Sequence, residues 1–218
     1  MSEEKLQAAL ELHQAGKLED AEQAYLDIVV DESDNAEALK LLGVLSCQLG
    51  KFEEGISYLE AAVELDDTIA EYHQALGHAY LVSGKVDQGV ASLSKAGDLD
   101  PGRDEVFGAL GDTYQHLQRF PDALRAYQRA TVIAPGNVRY KISAGLCCVF
   151  TEQYEAATEY LEDALSQDQS IPQIYYGLGL VKGMQGDPKG AEELMAKACD
   201  IDPDNPEYKR LREEYGAA

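Results

Sequence analysis

Leucine, isoleucine, valine, tyrosine and alanine return at helical spacing through the whole chain, and no stretch alternates apolar with polar as a strand would. The pattern also repeats at longer range. Blocks of 34 residues starting at Ser2, Ala36, Ala70, Asp104, Val138 and Pro172 align without an insertion. Their eighth place holds Ala9, Gly43, Gly77, Gly111, Gly145 and Gly179, and their twentieth holds Ala21, Gly55, Gly89, Ala123, Ala157 and Ala191. Small residues at fixed places let two helices approach closely, while the large apolar ones fill the space around them. Each block therefore predicts a pair of packed helices. Gly16, Gly50, Gly84 and Gly186 suit a left-handed cap after the first helix, and Pro101, Pro135 and Pro203 stop the second. Gln118 and Glu152 occupy the turn-glycine place in blocks four and five, so those turns are expected to close differently.

This architecture resembles the tetratricopeptide repeat (TPR) family, whose signature is a 34-residue helix–turn–helix unit. The best single block spans residues 104–137, with Phe107, Leu110, Gly111, Tyr114, Ala123, Tyr127, Ala130 and Pro135 in the family's places. The resemblance implies an all-α solenoid, with six repeats (2–35, 36–69, 70–103, 104–137, 138–171 and 172–205) in a right-handed superhelix. The first helix of each repeat would line the concave side, and residues 206–218 would form a polar helix covering the last repeat. The N-terminal part is also similar to bacterial arrays that accompany glycosyltransferases.

Charge narrows the partners. With 18 basic and 40 acidic residues the net charge is −22, which repels phosphate backbones and anionic lipid heads. Nucleic acid and membrane insertion are therefore not expected. No apolar run reaches the length of a membrane span, and the N-terminus lacks a signal-peptide core, so a cytoplasmic location is expected. The acidity is uneven. Residues 106–151 carry five basic and two acidic groups, making Arg119, Arg125, Arg129, Arg139 and Lys141 a cationic band.

No chemistry-bearing motif is present. The four cysteines form no C-x-x-C and stand at no zinc-finger spacing, so Cys47, Cys147, Cys148 and Cys199 read as small apolar residues. Neither a nucleophile with a base at motif spacing nor a phosphate-binding loop occurs. An enzyme is not expected, and no metal or cofactor is called for. His78 and His116, with Asp112, are compatible with a polar cluster but read best as groove lining. His73 reads as core.

The resemblance places the partner-binding positions at the second, fifth, ninth, twelfth and thirteenth residues of each repeat. Carried over, they give an apolar set in repeats five and six: Ile142, Leu146, Val149, Phe150, Tyr176, Leu180 and Met184. Earlier repeats give a polar set that, with Arg139, comprises Lys40, Gln74, His78, Asp112, Gln115 and His116. Ile142, Leu146, Val149 and Phe150 share one helix face, and an apolar face on an exposed groove marks an interaction site. Two family binding modes do not fit. The carboxylate clamp and the asparagine ladder both need groove asparagines, whereas Asn35, Asn137 and Asn205 all stand at the thirty-fourth place, where they would cap the next helix. The expected function is a non-enzymatic adaptor or scaffold that binds a protein or peptide segment in its concave groove. Two alternatives stay open: a self-assembling structural scaffold of the magnetosome-coat kind, forming a homo-oligomer, and an accessory subunit that presents substrate to a glycosyltransferase.

Overall fold

The structure is a computed structural model that describes residues 2–217. Among these residues there are thirteen α-helices and no strand. The first compact unit, Met1–Val106, holds three helix hairpins: α1 (Ser2–Gln14) with α2 (Leu18–Asp31), α3 (Ala36–Gln48) with α4 (Phe52–Leu65), and α5 (Ala70–Val82) with α6 (Val86–Leu99). The second, Phe107–Ala218, holds most of α7 (Asp104–His116) with α8 (Phe120–Ile133), then α9 (Val138–Phe150) with α10 (Tyr154–Gln167). It ends with α11 (Pro172–Met184), α12 (Pro188–Ile201) and α13 (Pro206–Gly216).

The hairpins close where small residues face each other. A Cβ on Gly43 would stand 2.8 Å from the carbonyl oxygen of Gly55, and one on Gly55 would stand 2.7 Å from that of Gly43. Only glycine tolerates both approaches, so α3 and α4 meet backbone to backbone. Larger side chains then fill the seams. Tyr25, Ile28, Leu42 and Leu45 are buried in one cluster, and Ile56, Leu59, Leu76 and Tyr80 in the next. In the second unit Ile142, Leu161, Ile174 and Leu178 play the same part. The helix α13 packs on α12 through buried Tyr208 and Leu211 and turns Arg210 and Glu214 to solvent, as a covering helix must.

Two local expectations need correction. The turns at Gln118 and Glu152 do not close differently. Both residues take positive φ, 57° and 61°, as Gly50 and Gly84 do. The hydrogen bonds also match: Gly50 N–H donates to the Cys47 carbonyl and Lys51 N–H to that of Ser46, while Gln118 N–H donates to Gln115 and Arg119 N–H to Tyr114. This paired cap outweighs the steric cost of a side chain in the left-handed region, about 1–2 kcal/mol. The asparagines also divide. Asn35 accepts from Ala38 N–H at 3.0 Å and Asn205 from Glu207 N–H at 3.0 Å, but the Asn137 side chain makes no cap bond.

Candidate functional site

Helices α3 and α5, the first helices of consecutive hairpins in the first unit, border a groove of about 700 Å³. Its register follows from helix geometry, because residues three and four apart share a face. Lys40, Val44 and Cys47 come from α3, Gln74, His78 and Val82 from α5, and Phe52 from the start of α4. The lining is graded. Lys40, Glu71, Gln74 and Arg103 stand near the helix starts, whereas Val82 and Phe52 stand at the turn end, 62% and 37% exposed. Leu41, Val44 and Ala75 make an apolar floor.

The charged end is already matched internally. Lys40 Nζ lies 2.6 Å from Glu37 Oε1. Arg103 donates to Glu71 at 2.5 Å, to Asp100 at 3.0 Å and to the Gln74 side-chain oxygen at 2.9 Å. The Arg103 hydrogen bond holds the Glu71 carboxyl below the usual range. His78 reaches solvent, yet the groove walls strip part of its hydration and push its pKa below the ordinary value. The groove also holds Cys47, half-buried, with a thiol pKa raised by the same loss of hydration.

The apolar residues of repeats five and six lie differently. Ile142, Val149 and Leu180 are buried, 5–8% exposed, and so belong to the packed interior instead of a free surface. Leu146 and Tyr176 are partly covered: Leu146 packs on the cluster of Ile142, Leu161 and Ile174, and the Tyr176 ring lies 5.4 Å from that of Tyr208 on α13. The Tyr215 ring occupies the place where a Cβ on Gly183 would stand, which closes the face further. Only Phe150 and Met184 of this set are well exposed, and Phe150 stacks on Phe120 at 4.5 Å. The missed signal was size. Large apolar side chains from adjacent first helices fill the space between them.

The remaining predicted residues are engaged or peripheral. Tyr127 donates to Asp112 at 2.6 Å and also meets Gln115, while Arg139 donates to Asp112 at 2.9 Å. Burial, then the Asp112 contact, pushes the Tyr127 pKa up. His116 is exposed on α7. The cationic band is largely paired: Arg119 and Arg125 on Asp122, Lys141 on Asp163 at 2.5 Å, and Arg129 over the Phe107 ring at 4.1 Å. Cys147 and Cys148 are buried, and burial pushes their thiols up to about 12 and about 11, which keeps them protonated and inert. His73 is buried, with its ring Nε2 2.9 Å from the Asp67 carbonyl oxygen.

Stacked helix hairpins with a groove along their first helices define an α-solenoid repeat protein. Two family models, both described as tetratricopeptide repeat, match residues 6–68, 75–138 and 151–215, and the chain belongs to this family. Repeat arrays of this kind are typically protein-interaction modules and not catalysts. A curated relative, the small glutamine-rich tetratricopeptide repeat-containing protein 2 of Saccharomyces cerevisiae, is 30% identical over 96 residues, which is 44% of this chain and 28% of that protein. The chain therefore matches under a third of that relative's length. Among solved structures, YrrB, a TPR protein with an unusual peptide-binding site, superposes with a TM-score of 0.79 at 20% identity, covering 89% of this chain and 98% of that one. MamA superposes with a TM-score of 0.68 at 25% identity, covering 74% of this chain and 94% of that one. No helix among the described residues is long and apolar enough to cross a membrane.

Proposed function

We propose that this protein is a scaffold that holds a partner's peptide segment in the groove between α3 and α5. The observation that carries this reading is the open apolar floor of Leu41, Val44 and Ala75, flanked by exposed Phe52 and Val82. Burying such surface is worth roughly 25 cal/mol per Å², and polar groups at the margin, Gln74 and His78, supply orientation. A hollow of about 680 Å³ in the second unit competes poorly, because Glu192, Asp200, Lys209, Arg212 and Glu213 line it. The peptide-binding site named for YrrB supports the same mode of use for this fold.

Site-directed photo-crosslinking tests the location. A photoreactive residue in place of Val82 or Gln74 is expected to capture a partner, and one in place of Val132, which is exposed on α8, is not. Partner adducts formed from Phe150 and Met184, with none from Val82 or Gln74, would move the site to the second unit and overturn this reading.

A further inference from the structure

We infer that the segment accepted by the α3–α5 groove is cationic and amphipathic, with apolar side chains for the floor and lysine or arginine beside them. The inference rests on the groove being the docking site proposed above. Its first support is that the groove has no basic group to spare for an acidic ligand. Lys40 is held by Glu37, and Arg103 by Glu71 and Asp100 together, so that cluster carries one carboxylate in excess. An incoming carboxylate would have to break one of these pairs. An incoming cation would complete the set.

The second support is the field around the groove. The first unit carries 7 basic and 23 acidic residues, a net charge of −16. At the apolar end Glu53 is paired with Lys85 at 2.9 Å, and Glu54 beside it in the first turn of α4 adds a further acid. A second copy of this chain is a poor occupant, because residues 107–218 are also acidic, 11 basic against 17 acidic, and the cations of its basic band are already engaged, Arg119 and Arg125 by Asp122, Arg139 by Asp112 and Lys141 by Asp163. A cationic segment gains long-range attraction at every approach, which raises the association rate and makes it sensitive to salt.

Titration of the full-length protein with dye-labelled synthetic helical peptides tests this by fluorescence anisotropy. One peptide carries leucine and lysine on opposite faces, a second leucine and glutamate, a third serine and lysine. The leucine–lysine peptide is expected to bind at least about tenfold more tightly than the other two, with affinity falling as salt rises from roughly 50 to 500 mM. Val82→Asp and Phe52→Ser are expected to weaken that binding. The aspartate is the sharper control: it adds negative charge, so adsorption to an acidic surface would grow stronger while groove binding is lost. Both positions are exposed, and circular dichroism is the check that the variants fold. If the leucine–glutamate peptide binds as well, with the same loss in Val82→Asp, the charge assignment falls and the groove stands. Leucine–lysine binding that is indifferent to Val82→Asp overturns the inference. If no peptide binding responds to either variant, the groove reading falls with it.

Discussion

The first-helix faces of the two units can be compared residue by residue, because an offset of 102 positions carries one onto the other. Lys40 corresponds to Ile142, Val44 to Leu146, Gln74 to Tyr176, His78 to Leu180 and Val82 to Met184. In the first unit these places surround an open groove. In the second these places, Met184 apart, are filled by their own side chains, and Tyr208 and Tyr215 of α13 cover part of what remains. The difference is one of volume as much as polarity. Replacing lysine, valine and glutamine by isoleucine, leucine and tyrosine converts a surface that can receive a ligand into a seam between helices. An apolar face on a repeat helix is therefore ambiguous until the neighbouring repeat is read with it.

The largest expected effect follows directly. Ile142→Ala removes a side chain buried among Leu161, Ile174 and Leu178, and is expected to cost about 2–4 kcal/mol. Lys40→Ala, at the matching place, removes a partly buried i,i+3 ion pair with Glu37 and is expected to cost about 1 kcal/mol. Urea unfolding followed by circular dichroism compares the two midpoints. Equal shifts would mean that the two faces are packed alike.

That contrast also marks what was legible in the sequence. The 34-residue period of the sequence is the spacing at which helices start, at 36, 70, 104, 138, 172 and 206. The close contacts of Gly43 and Gly55 were implied by small residues at the eighth and twentieth places. Of the positions expected to bind a partner, Lys40, Gln74 and His78 line one groove between α3 and α5. What the expectation lacked was depth. Ile142 and Leu180 are spaced as groove residues, yet whether such residues face solvent depends on other helices, as Ile142 is covered by Leu161, Ile174 and Leu178. Gly177 was a usable clue: a Cβ there would meet Leu146 and Leu161, so its absence lets them fold over α11. Gln118 and Glu152 failed for another reason, since their composition argued against a conformation that the cap hydrogen bonds impose.

The same offset pairs Tyr25 with Tyr127, and Leu10 with Asp112. Both tyrosines are buried, but the Tyr127 hydroxyl reaches Asp112 and Gln115, whereas that of Tyr25 has no hydrogen-bond partner. Tyr127→Phe is expected to lose about 1–1.5 kcal/mol by giving up a satisfied bond. Tyr25→Phe is expected to be neutral or mildly stabilising, because the hydroxyl it removes is desolvated without compensation. Thermal unfolding of the two variants measures the difference, and equal losses would show that Tyr25 is satisfied in solution. Next in size is the turn contrast. Gln118→Gly relieves a left-handed side chain and is expected to gain about 0.5–1 kcal/mol, reduced from the full steric cost by glycine's freedom in the unfolded chain. Gly50→Ala is expected to lose a similar amount. A Gln118→Gly melting temperature below that of the parent would contradict this.

The smallest effect concerns His78, whose counterpart is Leu180. The groove lowers its pKa from 6.5 by desolvation alone, and the charged groups lining the groove with it, Lys40, Glu71 and Arg103, are all held in ion pairs. A lowered value means that the unfolded chain takes up the proton more readily, so stability rises with pH and begins to fall away as pH drops below about 6.5. An apolar occupant laid over the ring removes more water from it and favours the neutral form further. Affinity for such a segment is therefore expected to decline on acidification through the same window, and more steeply than stability does, because protonation also opposes a cationic ligand. His78→Leu, which copies the second unit, should flatten both dependences. Binding of the leucine–lysine peptide measured from pH 8 to pH 5 decides the matter. If wild type and His78→Leu respond alike, the histidine takes no part in sensing what lies in the groove.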